Sequence, residues 1–394
     1  MAQPLFSAGT SRGGTTFLAR ILSLNSQISM ASDPFLPMFK RLRNKIYEQS
    51  GLIYPKDAPT SDYYFSTQHL DLLKLLHNSN LKNITVNSDE VTEIRMAVQK
   101  RMSLASPELI PAFNNLNGAN FYELFRNGIE LMASVYQSEQ NDWVGFNDNW
   151  VSDYFPLFAK AFPDAKFISI IRDVRGAISS MTKLSETRPE LIPPMYNFVR
   201  SWRKHVDLSI SYKSDALFKD RFHIVKYEDL ASNPKETISN LCKFLNVEFS
   251  EQMLETEKFR PFKGDKWEPY SHFNDVPQTG IFQIGIDRWK SFLDQDMISF
   301  IEHICSPELK YLGYELTQLP YIQIPQPIAK KVKNDYDKAL GWKLPIDDFA
   351  QEFVKELNRN QSLQHNSIPV VEMELNFLRS SCFKQINEKL YPLN

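Results

Sequence analysis

The residues best suited to chemistry lie at the start of the chain, where Ser11-Arg12-Gly13-Gly14-Thr15-Thr16 joins the short apolar run Pro4-Leu5-Phe6-Ser7-Ala8 to an amphipathic stretch ending near Leu22. A strand, a small-residue loop and a helix in that order build an anion cradle. Glycines let the backbone turn its N–H groups inward, and the helix N-terminus adds partial positive charge. Gly9 and Gly14 enclose four residues, and Thr16 falls at the Ser/Thr position of a Walker A loop, but Thr15 stands where that loop needs lysine. An ordinary ATPase or GTPase uses that lysine and Mg²⁺ to neutralise the transferred phosphoryl group, so the substitution argues against one. The positive charge sits earlier, on Arg12. A Gly-rich turn without a ligand is the competing reading of this stretch.

A second group follows the apolar run Phe167-Ile168-Ser169-Ile170-Ile171, which is isoleucine-rich and suits a buried parallel strand. It reads Arg172-Asp173-Val174-Arg175, and Ser180 comes eight positions after Arg172. An arginine at a strand C-terminus and a hydroxyl about two helical turns on can converge on one phosphate. The competing reading has Asp173 capping a helix and pairing with Arg175. Further on, Tyr227-Glu228-Asp229-Leu230 ends another strand-like stretch from Arg221, and Asn233-Pro234 opens a helix continuing to Leu245.

Taken together, these motifs resemble those of the sulfotransferases that use 3′-phosphoadenosine 5′-phosphosulfate (PAPS). Arg12-Gly13-Gly14-Thr15-Thr16-Phe17-Leu18 is similar to the family's 5′-phosphosulfate loop, with glycine where serine or threonine is usual. Phe162-Pro163-Asp164-Ala165-Lys166-Phe167-Ile168 followed by Arg172 and Ser180 is similar to its 3′-phosphate site, with Val174 in place of the usual proline. The chain is also similar overall to sulfotransferases of cyanobacterial alkaloid pathways such as saxitoxin biosynthesis.

The resemblance implies PAPS as co-substrate, adenosine 3′,5′-bisphosphate as product, and no metal. Ser11, Arg12, Gly13, Gly14, Thr15, Thr16, Arg172 and Ser180 would bind the donor, with Tyr227 near adenine, and Arg12 would also act on the transferring group. A sulfuryl group carries less charge than a phosphoryl group, so one cation with hydroxyls and amides can suffice. The general base implied is Asp33, in Ser32-Asp33-Pro34, where relatives usually carry glutamate before proline. His205, His272 and Asp148 are rival bases, and an Asp-Pro turn without chemistry is the bland alternative. Where many members have Gly-x-Lys-Thr/Ser-Pro, the run here is Gly145-Phe146-Asn147-Asp148-Asn149. Loss of that lysine keeps a non-catalytic nucleotide-binding protein open, and a P-loop kinase is the other alternative.

The elements that must position these residues form an α/β fold, a P-loop-like parallel sheet with helices on both faces. Residues 1–318 read as one sulfotransferase domain interrupted by a helical insert at about 40–140, with Tyr54, Tyr63, Tyr64 and Phe65 as core or acceptor-pocket lining. Residues 259–289 read as loop-like, in the region where the resemblance implies closure over the donor, and a helix is expected from Lys290 through Cys305. Pro320, Pro325 and Pro327 mark a linker to a C-terminal helical extension, 319–394, of two or three helices, which either packs on the domain or makes a homodimer contact.

Composition narrows the partners. A formal charge of −2 over 394 residues offers no field for a nucleic-acid polymer, and the three cysteines, Cys242, Cys305 and Cys382, form no metal-binding cluster. With no leader-like start and no run of about 20 apolar residues, the expectation is a cytoplasmic protein away from the membrane. The acceptor expected is a small molecule, a secondary metabolite, taking sulfate on a hydroxyl rather than a nitrogen; Asp33, Asp148 and Asp153 would favour a cationic one.

Overall fold

A computed structural model of the chain describes residues 2–52, 54–59, 66–139, 142–255, 258–259, 286–318, 321, 323–365 and 370–392. Five strands form one parallel sheet: β1 (Gln3–Gly9), β2 (Ile28–Ser32), β3 (Trp143–Asn149), β4 (Lys166–Ile171) and β5 (Phe222–Lys226), in the order β2-β3-β1-β4-β5. The connection from β1 runs toward one edge of the sheet and that from β4 toward the other. Their neighbouring C-terminal ends, where Gly9 is in register with Ile170, are therefore the switch point at which such sheets bind ligands.

The helices, in chain order, begin with α1 (Thr15–Leu22), α2 (Leu36–Gln49), α3 (Thr67–Asn78), α4 (Ser88–Ala105), α5 (Phe121–Tyr136) and α6 (Phe155–Ala161). Next come α7 (Val174–Ser185), α8 (Met195–Ser214), α9 (Tyr227–Ser232), α10 (Pro234–Leu245), α11 (Trp289–Phe292) and α12 (Gln295–Tyr311). The last are α13 (Gln326–Lys338), α14 (Phe349–His365), α15 (Val370–Phe377) and α16 (Ser380–Leu390). Among the described residues no helix is long and apolar enough to cross a membrane.

Two compact units divide the chain: Met1–Thr60, Leu72–Ile171 and Ala216–Gln283 form one, and Ser61–Asp71, Arg172–Asp215 and Ile284–Asn394 the other. The first holds the whole sheet. Alternate strand residues point to opposite faces, and each face has its own core. Leu5, Met30, Ile168 and Ile170 pack with Leu18 and Leu22 of α1 and with Ile238 and Leu241 of α10. On the other face an aromatic layer joins the strands to α2, α5 and α6: Phe6 lies 4.8 Å from Phe158 and Phe35 4.7 Å from Phe146, both edge-on, and Phe125 is 4.6 Å from Phe158. Edge-to-face rings fill such a layer densely and add about 0.5–1.5 kcal/mol per pair beyond burial.

α4 starts on a complete capping box. Asn87 accepts from the backbone N–H groups of Asp89 and Glu90, and Glu90 accepts the Asn87 N–H at 3.0 Å. That cap fixes the helix whose far end reaches Asp33. Tyr54 stacks edge-on with Tyr47 at 5.2 Å and lies under Arg43, a packing role, whereas Tyr63, Tyr64 and Phe65 lie outside the described residues.

In the second unit α8 is buried along most of its length and meets α14 through charged pairs. Arg203 holds Glu356 at 2.5 Å, and Arg359 pairs with Glu308 of α12 and, at 3.4 Å, with Asp207; all five are fully buried. Four described helices follow residue 319 rather than two or three, because Ser380 restarts a helix just after Leu378 takes a left-handed φ of 57°. Two other boundaries also differ from the sequence reading. The strand expected over Arg221–Leu230 stops at Lys226, since Glu228 and Asp229 suit the first turn of a helix. The helix expected from Lys290 to Cys305 breaks at Leu293, where Asp294 caps a new one by accepting the Met297 N–H at 3.1 Å. The expected closing loop falls largely on 260–285, outside the described residues.

Candidate active site

Three of the seven left-handed non-glycine residues among those described follow the C-terminal ends of three adjacent strands. Arg12 (φ 61°) after β1, Asp33 (φ 49°) after β2 and Trp150 (φ 65°) after β3 are all left-handed non-glycine residues. Such residues are costly and gather where function over-determines the backbone. The Trp150 N–H donates to Gly9 O at 3.0 Å and the Asp33 N–H to Asn147 O at 2.8 Å, so the three loop starts are tied to one another.

The loop turns tightly after β1, with Gly13 N–H donating to Thr10 O at 2.9 Å, and enters α1 through Gly14 at φ 94°. Left-handed Arg12 and Gly14 on either side of Gly13 curl the backbone as in an anion-binding nest. A Cβ on Gly14 would come within 2.6 Å of the Tyr227 ring, and one on Gly9 within 2.5 Å of Thr15 Cγ2. Tyr227, at the start of α9, thus lies on the loop itself.

Thr15 is buried and its hydroxyl donates to Asn149 Oδ1 at 3.2 Å. The Asn149 amide in turn donates to both Asp33 carboxylate oxygens, at 3.3 and 3.4 Å. On its other side Asp33 Oδ2 pairs with Arg101 Nη2 at 3.2 Å, and Arg101 Nε donates to the Asp33 carbonyl at 3.2 Å. The Asp33 side chain keeps 19% of its exposure and that of Arg101 28%, so the pair opens to solvent. Burial raises the Asp33 pKa above the usual carboxylate range, and Arg101 and a backbone hydrogen bond from Asn149 oppose the rise.

Of the rival bases, Asp148 is fully buried, with Oδ2 accepting the Phe35 N–H at 3.0 Å. Burial and the nearby Asp33 charge push its pKa well up. His205 is fully buried within α8, and His272 lies outside the described residues. Asn147 is fully buried too. Among the described residues neither of its amide atoms has a hydrogen-bond partner, nor does Oγ of Ser7, its register neighbour on β1.

The Arg172 motif belongs to the second unit. Asp173 caps α7 by accepting the Arg175 N–H at 2.9 Å and pairs with the Arg175 guanidinium at 2.6 Å. Arg175 also reaches Glu302, donates to Glu315 O at 2.9 Å and stacks 4.0 Å from the Trp289 ring centroid. The capping reading therefore holds for Asp173 and Arg175, which are saturated inside the protein. The Nε of Arg172 would lie 3.2 Å from a Cβ on Gly176, so the side chain folds over the first turn of α7, and its carbonyl accepts Trp202 Nε1–H at 2.8 Å. Ser180 is buried on the same helix.

Two site residues escaped the sequence reading of the chemistry. Asn149 was visible as the last residue of the strand beside β1, where strand-end side chains line the ligand crevice. Arg101 lies 68 positions from Asp33 inside the insert, and no local spacing signals it.

A model of the sulfotransferase family matches residues 4–251, and the chain belongs to that family. It is 26% identical over 205 residues to a protein-tyrosine sulfotransferase of Drosophila melanogaster, covering 51% of this chain and 36% of the relative. Carbohydrate sulfotransferase 1 of Mus musculus is 22% identical over 186 residues, with 42% of this chain and 43% of the relative covered. The chain spans 36%, 44% and 59% of the length of three protein-tyrosine sulfotransferases it matches. Among solved structures, the sulfotransferase domain of the Synechococcus PCC 7002 olefin synthase aligns over 76% of this chain and 94% of its own, with 18% identity and a TM-score of 0.43.

Proposed function

We propose that the protein transfers a sulfuryl group from PAPS to a hydroxyl of a small-molecule acceptor, with Asp33 as general base. The observation that carries this reading is the hydrogen-bonded run from Thr15 of the loop through Asn149 to the Asp33 carboxylate. It brings the Asp33 carboxylate to within one side chain of the lysine-free glycine loop, which supports the reading of Asp33 as the base. The acceptor oxygen attacks sulfur, its proton passes to Asp33, and the bond from sulfur to the phosphate oxygen breaks to release adenosine 3′,5′-bisphosphate. Little else is required of the protein than positioning and stabilisation of charge on the leaving phosphate.

The residues present fit this donor. The nest at Arg12–Gly14 has its backbone turned for an anion and leaves no room for a Cβ at Gly14. The Asn147 amide and the Ser7 hydroxyl are buried register neighbours on β3 and β1, and buried polar groups need partners, which an ordered water supplies. Arg12 would stabilise charge on the transferring group, Tyr227 would flank the adenine, and Arg172 and Ser180 would read the 3′-phosphate. Of Asp33, Asp148 and Asp153, the last two are fully buried, so Asp33 alone of the three supports a cationic acceptor, and a secondary metabolite in the cytoplasm is the setting we propose.

Calorimetry with adenosine 3′,5′-bisphosphate and AMP tests the donor assignment, together with transfer from labelled PAPS in EDTA. The bisphosphate should bind more tightly, and Arg172→Ala should remove about 1.5–3 kcal/mol of that preference, the worth of a hydrogen bond to a charged group. Turnover should persist in EDTA. Equal affinity for the two nucleotides defeats the 3′-phosphate site, turnover from ATP with Mg²⁺ alone marks a kinase, and binding without turnover marks a non-catalytic protein.

A further inference from the structure

We propose that Arg101 and Asn149 are positioning residues that clamp Asp33 from opposite sides, holding it ionised and aimed from the donor loop. The proposal rests on the reading of Asp33 as the base. Arg101 comes from the last turns of α4 in the helical insert and grips Asp33 twice, Nη2 on the carboxylate and Nε on the backbone carbonyl, each at 3.2 Å. A guanidinium fork can make both contacts at once; an ammonium is a single point of charge.

Asn149 supplies the other jaw. Its Oδ1 accepts the Thr15 hydroxyl, so its Nδ2 is turned to the Asp33 carboxylate. A flipped amide would set oxygen against the carboxylate, so the orientation is self-consistent. The left-handed Asp33 backbone is the conformation these contacts over-determine, together with the Asp33 N–H bond to Asn147 O at 2.8 Å.

Among the described residues, the charged groups acting on Asp33 are Arg101 from α4 and Asp148 from β3, with Lys40 of α2 beside Arg101. Asp148 is fully buried, and burial and the neighbouring Asp33 charge raise its pKa well above the usual carboxylate range, which works against a second negative charge beside Asp33. Arg101 therefore acts on a half-buried carboxylate whose surroundings otherwise favour the protonated form. A protonated Asp33 cannot accept the acceptor's proton.

The measurement is the pH profile of kcat/KM for wild type, Asp33→Asn, Arg101→Gln, Arg101→Lys and Asn149→Ala, with bisphosphate affinity as the check on folding and on the donor loop. Arg101→Gln should move the acid limb upward by about one pH unit, the low end for losing a cation at ion-pair distance. Its rate should fall most at low pH and recover as pH rises. Arg101→Lys should keep the wild-type limb with a lower kcat. Asn149→Ala should move the limb in the same direction by less, because one hydrogen bond to the charged form is lost. If Asp33→Asn is inactive but neither Arg101→Gln nor Asn149→Ala moves the limb, the clamp is wrong and the base assignment stands. If Asp33→Asn turns over normally, both are wrong. Should Arg101→Gln fail to bind bisphosphate, the Asn149→Ala limb decides.

Discussion

The Tyr227 ring rests on Gly14, so close that a single added Cβ would come within 2.6 Å of it. Gly14 also has φ 94°, a conformation disfavoured by about 1–2 kcal/mol for residues with a Cβ. Gly14→Ala should keep the fold but weaken adenosine 3′,5′-bisphosphate at least ~10-fold, since the loop must shift by several tenths of an ångström to relieve the contact. Adding Tyr227→Ala should recover only part of the loss, because the ring clash goes and the φ penalty stays. Calorimetry on the single and double variants checks this; unchanged affinity in Gly14→Ala would show that the ring and loop move apart freely.

The sheet was legible because its strands are short apolar runs with strong punctuation. Phe167–Ile171 has no amphipathic alternation and fits only a strand buried on both faces. The glycine loop was legible because special backbone geometry demands special residues. Tyr227 was expected near the nucleotide through resemblance, and the structure brings its ring onto the loop. What sequence could not show was the partnership of Asp33 with Arg101 and Asn149. Those three residues meet only after strand β3 has been inserted beside β2 and the helical insert has returned over the strand ends, and pairing at such separations leaves no periodic trace. The C-terminal charges were opaque for a similar reason. Glu356 and Arg359 look like a solvated helix face in sequence, and only the facing Arg203, Asp207 and Glu308 make burial tolerable.

Asp148→Asn should stabilise the protein increasingly as pH rises. Burial, then the Asp33 charge, raises the Asp148 pKa in the folded state. The folded protein thus binds that proton more tightly than the unfolded chain, so the associated stability is fully present below the unfolded value of about 3.9 and is lost as pH climbs through the raised folded value. Asparagine keeps an oxygen for the Phe35 N–H and has no proton to lose. Melting temperatures of the variant minus wild type should therefore grow from pH 4 to pH 8, and a flat difference would mean that Asp148 ionises as it does in water. The same variant should retain turnover, whereas its inactivity would transfer the role of base from Asp33 to Asp148.

Arg203 and Glu356 provide the test of how α14 is held. Both are fully buried, and Glu356 also accepts the Tyr196 hydroxyl at 3.1 Å. Burial alone would raise the Glu356 pKa, but Arg203 at 2.5 Å more than offsets it and holds the carboxyl below its usual range. Glu356→Gln preserves shape and an acceptor while leaving a buried guanidinium without its counter-charge, an uncompensated charge worth about 3–5 kcal/mol. The loss should appear as a lower urea midpoint with an unchanged slope. Removing both charges in Arg203→Met with Glu356→Leu should cost much less than the single change, because neither desolvated ion remains. A Glu356→Gln midpoint equal to wild type would mean that α14 can lift from α8 and hydrate Arg203, and the charges would then contribute nothing to holding residues 349–365 in place.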